Sequence, residues 1–284
     1  MDVLSLNGLG FGLFGLIVGS FLNVLVARWG SRPLSGRSQC PSCGRTIAWY
    51  DNIPILSWIV LGARCRHCRV RISSQYPLVE AGTGILFGLV GASPLPLSLR
   101  LIGLLIAALL FAIAVYDLRH TIIPDAWVYA FISLSLLYTL VVSLPAFSAG
   151  EGDVLVILLS GPVAALPLFA LWGVSRGAWM GFGDVKLALG MGFLLGPLFG
   201  IVAVFLAFVL GAIVSVPLLF FSSELWKRMA APYHFLHSVF GVKSGKGYTM
   251  KSEVPFGPFL ICSCFIIWFL NAYGIPLPLG LFAF

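Results

Sequence analysis

Charged residues are what this chain has least of. Its 284 residues include ten acids and 17 lysines and arginines, 10% in all, whereas 60% are hydrophobic and the mean hydropathy is +1.03. That is too little charge to coat a soluble globule, so the chain reads as an all-α polytopic membrane protein. It also lacks a glycine-rich loop set in a strand-turn-helix, which excludes a soluble Rossmann-like cofactor site. No basic segment precedes the first apolar stretch, no small-x-small cleavage site follows it, and Arg28 and Arg32 come after it. The expectation is a retained first helix with its N-terminus outside, not a cleaved signal.

What is present is a series of apolar runs. A helix needs about 20 predominantly apolar residues to span the hydrocarbon. Segments 8–27, 77–93, 97–116, 126–145, 154–174, 185–196, 198–221 and 255–273 are the expected spans, about eight transmembrane helices in all. The second and sixth are short, and Gly196-Pro197 is a turn or a kink between the sixth and seventh. Lys and Arg concentrate in cytoplasmic loops. Placing 28–76 inside makes 117–125, 175–184 and 222–254 inside loops. Of the 17 basic residues only Arg100 then falls outside, and Glu151 and Asp153 sit on an outside loop. The net charge of +7 is therefore mostly topology, and no nucleic-acid partner is expected. The organisation expected is a first transmembrane helix at 1–28, a cytoplasmic domain at 29–76 and a transmembrane domain at 77–284.

Two acids border apolar runs: Asp117 closes the third and Asp184, in Gly181-Phe182-Gly183-Asp184, opens the sixth. The topology puts both at the cytoplasmic membrane edge although 67 residues separate them in sequence. Charge at a membrane segment is costly enough to suggest function, and two carboxylates in one site hold a single proton between them, the arrangement of an aspartic protease. Gly181 and Gly183 allow positive φ and close backbone approach, so they are candidates for positioning an extended substrate beside Asp184. The competing reading is helix capping. It suits Asp184 at a helix N-terminus, but it explains nothing for Asp117 at a C-terminus, where the dipole disfavours an anion.

The largest inside loop holds Cys40-Pro41-Ser42-Cys43 and, 21 residues later, Cys65-Arg66-His67-Cys68. Two C-x2-C pairs at this spacing fit a four-thiolate zinc site, closed and therefore structural. Disulfides are not expected on the reducing side of the membrane. Arg45, Arg64, Arg66, Arg69 and Arg71 surround the pairs, suited to offset a negative metal-thiolate centre, to meet anionic lipid or to bind an anionic ligand. Trp49, Tyr50 and Trp58 flank Ile53-Pro54-Ile55-Leu56, which suggests a segment resting on the membrane interface. Cys262 and Cys264 read as small hydrophobes of the last span.

In order along the chain, Gly19-Ser20-Phe21-Leu22-Asn23-Val24, the cysteine pairs around Trp49-Tyr50-Asp51-Asn52-Ile53-Pro54, Tyr76-Pro77-Leu78-Val79-Glu80, Asp117-Leu118-Arg119 with Ile123-Pro124-Asp125, Gly181-Phe182-Gly183-Asp184-Val185-Lys186 and Pro255-Phe256-Gly257-Pro258 resemble the type IV prepilin peptidases. The likeness covers nearly the whole chain. It implies a membrane aspartyl protease of the GxGD kind at 77–284, with Asp117 and Asp184 as the catalytic pair. Asp125 is the nearest rival for the first acid, but it better fits a cap for the following span.

The resemblance further implies removal of a short basic leader from prepilins and pseudopilins at the cytoplasmic face of the bacterial inner membrane, with cleavage after a glycine. It also implies N-methylation of the new N-terminus, often phenylalanine, with S-adenosylmethionine. The loop at 29–76 would then be the methyltransferase part, with Glu80 the candidate cofactor-binding residue. One departure bears on methylation: the family often has glycine two residues before the third cysteine, where this chain has Ala63. Alternatives are a peptidase without transferase activity, a transporter that relays protons or ions through the Asp pair, and a scaffold whose zinc loop docks a secretion partner.

Overall fold

The computed structural model describes residues 3–31, 33–150, 152–220 and 255–276. The expected 222–254 loop, Arg32 and Glu151 lie outside the described residues. All eight expected spans are helices, which we number with one short extra helix: α1 (Val3–Arg28), α2 (Leu56–Val60), α3 (Gln75–Ala92), α4 (Leu97–His120), α5 (Asp125–Ser148), α6 (Val154–Ser175), α7 (Phe182–Leu195), α8 (Pro197–Phe220) and α9 (Gly257–Ala272). Among the described residues there is no strand, only two isolated antiparallel bridges, Gln39–Thr46 and Arg64–Arg71. Among the described residues, five helices, α1, α4, α5, α6 and α8, are long and apolar enough to cross a membrane. The described residues form two compact units that part between Ala92 and Ser93.

In the first unit α1 and α3 pack antiparallel along a seam of small residues. A Cβ on Gly8 would stand 2.9 Å from Ala92 Cβ, one on Gly15 2.7 Å from the Thr83 carbonyl, and one on Gly19 2.7 Å from Glu80 Cα. Lipid tails are as apolar as leucine, so helices in a membrane gain by bringing backbones close, and glycine permits it. At the end of the seam toward the loop, Asn23 Nδ2 donates to the Tyr76 carbonyl at 3.1 Å.

In the second unit α7 is the innermost helix, packed against α5, α6, α8 and α9. Nine of its 14 residues are buried, which makes packing, and not its modest length, what holds it. Glycines let it sink: a Cβ on Gly190 would stand 2.5 Å from Phe131 Cε1 of α5, and one on Gly192 would collide with the Ser160 carbonyl of α6. The Thr139 hydroxyl of α5 also donates to the Phe193 carbonyl of α7. Gly196 at φ 84 ends α7 and Pro197 begins α8, so Gly196-Pro197 is a helix break and not a kink in one helix. On α9 Cys264 is buried as expected, whereas Cys262 faces outward.

Candidate active site

Asp117 lies in the last turn of α4 and Asp184 in the first turn of α7; both are buried, at 4% and 8% exposure. α4 stops where Thr121, in the left-handed region at φ 53, returns its N–H to the Asp117 carbonyl at 2.8 Å. A helix C-terminus offers a carboxylate no N–H groups, so the Asp117 side chain needs a donor from elsewhere. It has one in the backbone N–H of Gly257, at the start of α9. A Cβ on residue 257 would stand 2.5 Å from Asp117 Oδ2, so a side chain there would displace the carboxylate.

Asp184 is the third residue of α7, whose N-cap is Gly181. The capping position expected for Asp184 therefore belongs to Gly181. The Asp117 and Asp184 carboxylates are near enough to act on each other electrostatically. Ile123 packs between their supports: its Cδ1 is 3.3 Å from a Cβ built on Gly257, and its Cβ is 3.2 Å from one built on Gly183. The end of α4, the α4–α5 turn and the starts of α7 and α9 thus converge on one pair of acids, a geometry able to take a proton from water and return one to a leaving group.

Three details differ from expectation. Gly181 has φ −73 and Gly183 lies inside α7, so neither uses the positive φ open to glycine. At Gly183 the reason for glycine is the crowding against Ile123, whereas at Gly181 a Cβ would make only ordinary contacts, 3.9 Å from Gly183 N and 4.0 Å from Asp184 Oδ2. Asp125 does not cap α5, whose N-cap is Pro124. Its carboxylate instead meets Lys186 Nζ at 2.6 Å, an ammonium that also lies 5.3 Å from the Tyr129 ring centroid and 5.4 Å from that of Phe182.

The cysteine pairs form two matching knuckles. Gly44 N–H returns to the Cys40 carbonyl at 2.9 Å and Arg69 N–H to the Cys65 carbonyl at 3.0 Å. Gly44 and Arg69 both take left-handed conformations, at φ 69 and φ 60. All four sulfurs lie within 4.8 Å of one another, and Cys40 Sγ is 3.7 Å from Cys68 Sγ. Tetrahedral zinc with ~2.3 Å bonds sets its sulfurs ~3.8 Å apart, so the cluster fits one such ion with little adjustment. Backbone N–H groups of Cys68 and His67 hold the Cys65 thiol down to about 6, as those of Cys43 and Ser42 lower Cys40. The Val70 N–H pulls Cys68 down, yet desolvation and the neighbouring thiols leave it raised, to about 11.

Arg66 is not free to meet lipid: it grips Asp51 through two nitrogens, at 2.6 and 2.9 Å, tying the second knuckle to the turn at Trp49–Asn52. Trp49 is 75% exposed, and Leu56, Ile59 and Val60 of α2 are exposed as well. Glu80 sits on α3 at 7% exposure; its Oε2 accepts the Ile55 N–H at 2.7 Å and its carboxylate hydrogen-bonds Ser20. Ala63, where the family often has glycine, is left-handed at φ 57.

Gly257, Ile123 and Lys186 were not singled out from the sequence as parts of the site. Their signal was membership of the three quoted C-terminal motifs, which carries no spatial information.

Residues 13–93 match the bacterial peptidase A24 N-terminal domain and residues 104–216 match the type IV leader peptidase family. A prepilin leader peptidase/N-methyltransferase of Vibrio cholerae is 31% identical over 271 residues, 91% of this chain and 95% of the relative. A type 4 prepilin-like proteins leader peptide-processing enzyme of Escherichia coli is 34% identical over 205 residues, 65% of this chain and 75% of the relative. A prepilin leader peptidase/N-methyltransferase of Myxococcus xanthus is 46% identical over 122 residues, 39% of this chain and 34% of the relative. No solved structure gives a significant match. This multi-pass membrane protein belongs to the type IV leader peptidase family.

Proposed function

We propose that this chain cuts the leader from type IV prepilins and pseudopilins with Asp117 and Asp184, then methylates the new N-terminus with S-adenosylmethionine. One observation carries the reading: two buried carboxylates, one closing α4 and one opening α7, have supports that converge on Ile123 within the region that matches the leader peptidase family. The pair shares one proton and binds a water; the ionised acid takes a proton from that water as it attacks the scissile carbonyl. The protonated acid gives its proton to the carbonyl oxygen, and the pair later returns one to the leaving amine. An extended substrate backbone would lie past Gly181, where a Cβ would stand 4.0 Å from Asp184 Oδ2.

Zinc, held by Cys40, Cys43, Cys65 and Cys68, would have a structural role: four thiolates leave no position for a substrate. The loop at 29–76 and the Asp pair face the cytoplasm of the bacterial inner membrane, with the exposed apolar residues of α2 on lipid. The loop belongs with methyl transfer, and Glu80 is the residue placed to contact the cofactor. Leader cleavage at the cytoplasmic face belongs to the transmembrane domain at 77–284.

The test is to incubate the purified protein in detergent with a prepilin and S-adenosylmethionine, and to weigh the product. Loss of the leader and the mass of one added methyl group are expected, with zinc in stoichiometric amount. D117N and D184N should each abolish leader loss; intact cleavage in either variant would sink the dyad.

A further inference from the structure

The α1–α3 pair contains a buried acceptor that the fold itself leaves unsatisfied. Asn23 is 3% exposed, and its Nδ2 donates to the Gly19 carbonyl at 3.3 Å and to the Tyr76 carbonyl at 3.1 Å. Both neighbours are acceptors, so the amide can be oriented only with nitrogen toward them. Its Oδ1 is then buried with no partner. Buried polar atoms are nearly always paired, and an exception calls for an explanation.

A carboxylate stands close by. The seam sets Gly19 against Glu80, and Asn23 lies one helical turn beyond Gly19 on the same face of α1. Glu80 hydrogen-bonds Ser20, between them in sequence, and among the described residues its partners are an amide N–H and a hydroxyl, both neutral. A carboxylate withdrawn from water is stabilised most by a cation. An unpaired carbonyl and an uncompensated carboxylate together call for a positively charged group with several N–H donors. A primary ammonium has three.

We propose that Asn23 Oδ1 and the Glu80 carboxylate bind the ammonium group of a methyl-transfer substrate, a proposal that rests on the transferase reading above. Two molecules in that reaction carry such a group: the trimmed pilin, through its α-ammonium, and S-adenosylmethionine, through its amino-acid part. The α1–α3 seam thus contributes to recognition as well as to folding.

Two substitutions separate binding from architecture. E80Q keeps one oxygen for the Ile55 N–H and an amide N–H that the Ser20 hydroxyl can accept, but removes the charge. G15A presses on the Thr83 carbonyl across the same seam and alters neither acceptor. The full-length zinc-loaded protein in detergent is titrated with S-adenosylmethionine by calorimetry, and methylation kinetics are measured against a peptide beginning with phenylalanine. Zinc content and Tm report folding for each variant.

The expectation is that E80Q weakens one of the two ligands about tenfold or more, as loss of a charge-assisted hydrogen bond does, while folded G15A binds as well as wild type. A rise in Kd for S-adenosylmethionine assigns the site to the donor. A rise in KM for the peptide at unchanged donor affinity assigns it to the trimmed N-terminus. The reverse pattern, E80Q harmless and G15A damaging, means the seam only holds the helices together and overturns the proposal, as does no change in either ligand. If wild type transfers no methyl group, the transferase reading fails, and calorimetry with phenylalaninamide on wild type and E80Q still decides whether an ammonium site exists.

Discussion

Lys186 Nζ lies 2.6 Å from Asp125 Oδ1, so the turn of α7 that follows Asp184 is tied to the first residue of α5. Asp125 is 61% exposed, which limits what this ion pair contributes. Exposed pairs are worth about 0–1 kcal/mol, much less than the nine buried residues that seat α7. K186M is therefore expected to lower stability by less than ~1 kcal/mol, and leader cleavage by less than about tenfold. Thermal unfolding and single-turnover cleavage check this, and a larger loss in cleavage alone would mean the pair positions Asp184.

The approach of Gly257 to Asp117 predicts a more severe variant. In G257A the new Cβ meets Asp117 Oδ2 at 2.5 Å, so the carboxylate or the start of α9 must move. A displacement of ~1 Å at reacting groups costs about a hundredfold in rate. Cleavage kcat should fall by that order while bound zinc stays at wild-type level, which a rate assay and a metal analysis of the same preparation will show.

Along the α1–α3 seam, position decides outcome. A Cβ on Gly15 would press on the Thr83 backbone, whereas one on Gly10 meets nothing within 4 Å. G15A should destabilise by ~1–3 kcal/mol through overpacking. G10A should be neutral or gain up to ~1 kcal/mol, since alanine loses less chain entropy in a helix. Comparative melting in one detergent tests the difference between the two.

Ala63 adopts φ 57, a conformation in which a Cβ is unfavourable by roughly 1–2 kcal/mol and glycine is not. The wider unfolded ensemble of glycine offsets ~0.4–1 kcal/mol of that gain. A63G should leave the cysteine loop as stable or up to ~1 kcal/mol more so, and A63V, β-branched at positive φ, should weaken it. The temperature at which each variant releases zinc is the measurement.

Much of this was legible in the sequence, for identifiable reasons. Apolar run length gave the helices, because a membrane helix satisfies its own backbone and needs little else. The distribution of Lys and Arg brought Asp117 and Asp184 to a common depth by counting spans, and C-x2-C spacing brought four sulfurs together because each pair sits on one tight knuckle. What stayed hidden were contacts made in three dimensions by residues with no local signature. Gly257 is 140 positions from Asp117, and nothing in Pro255-Phe256-Gly257-Pro258 says which carboxylate its N–H meets. Asp125 looked like a cap because it follows Ile-Pro; its partner lies 61 residues away. The orphan oxygen of Asn23 is visible only once α1 and α3 are laid together.

The length of α7 has a consequence for the chemistry. Its 14 residues rise ~21 Å, against a hydrocarbon layer of ~30 Å, so on its own it leaves a mismatch of ~9 Å. Since α5, α6 and α8 around it are longer, the shortfall is bordered by protein and leaves room for an aqueous indentation at one end. On the mechanism proposed above hydrolysis consumes a reagent that lipid excludes. With Asp184 on the first turn of α7, such an indentation would give that reagent a route to the acids.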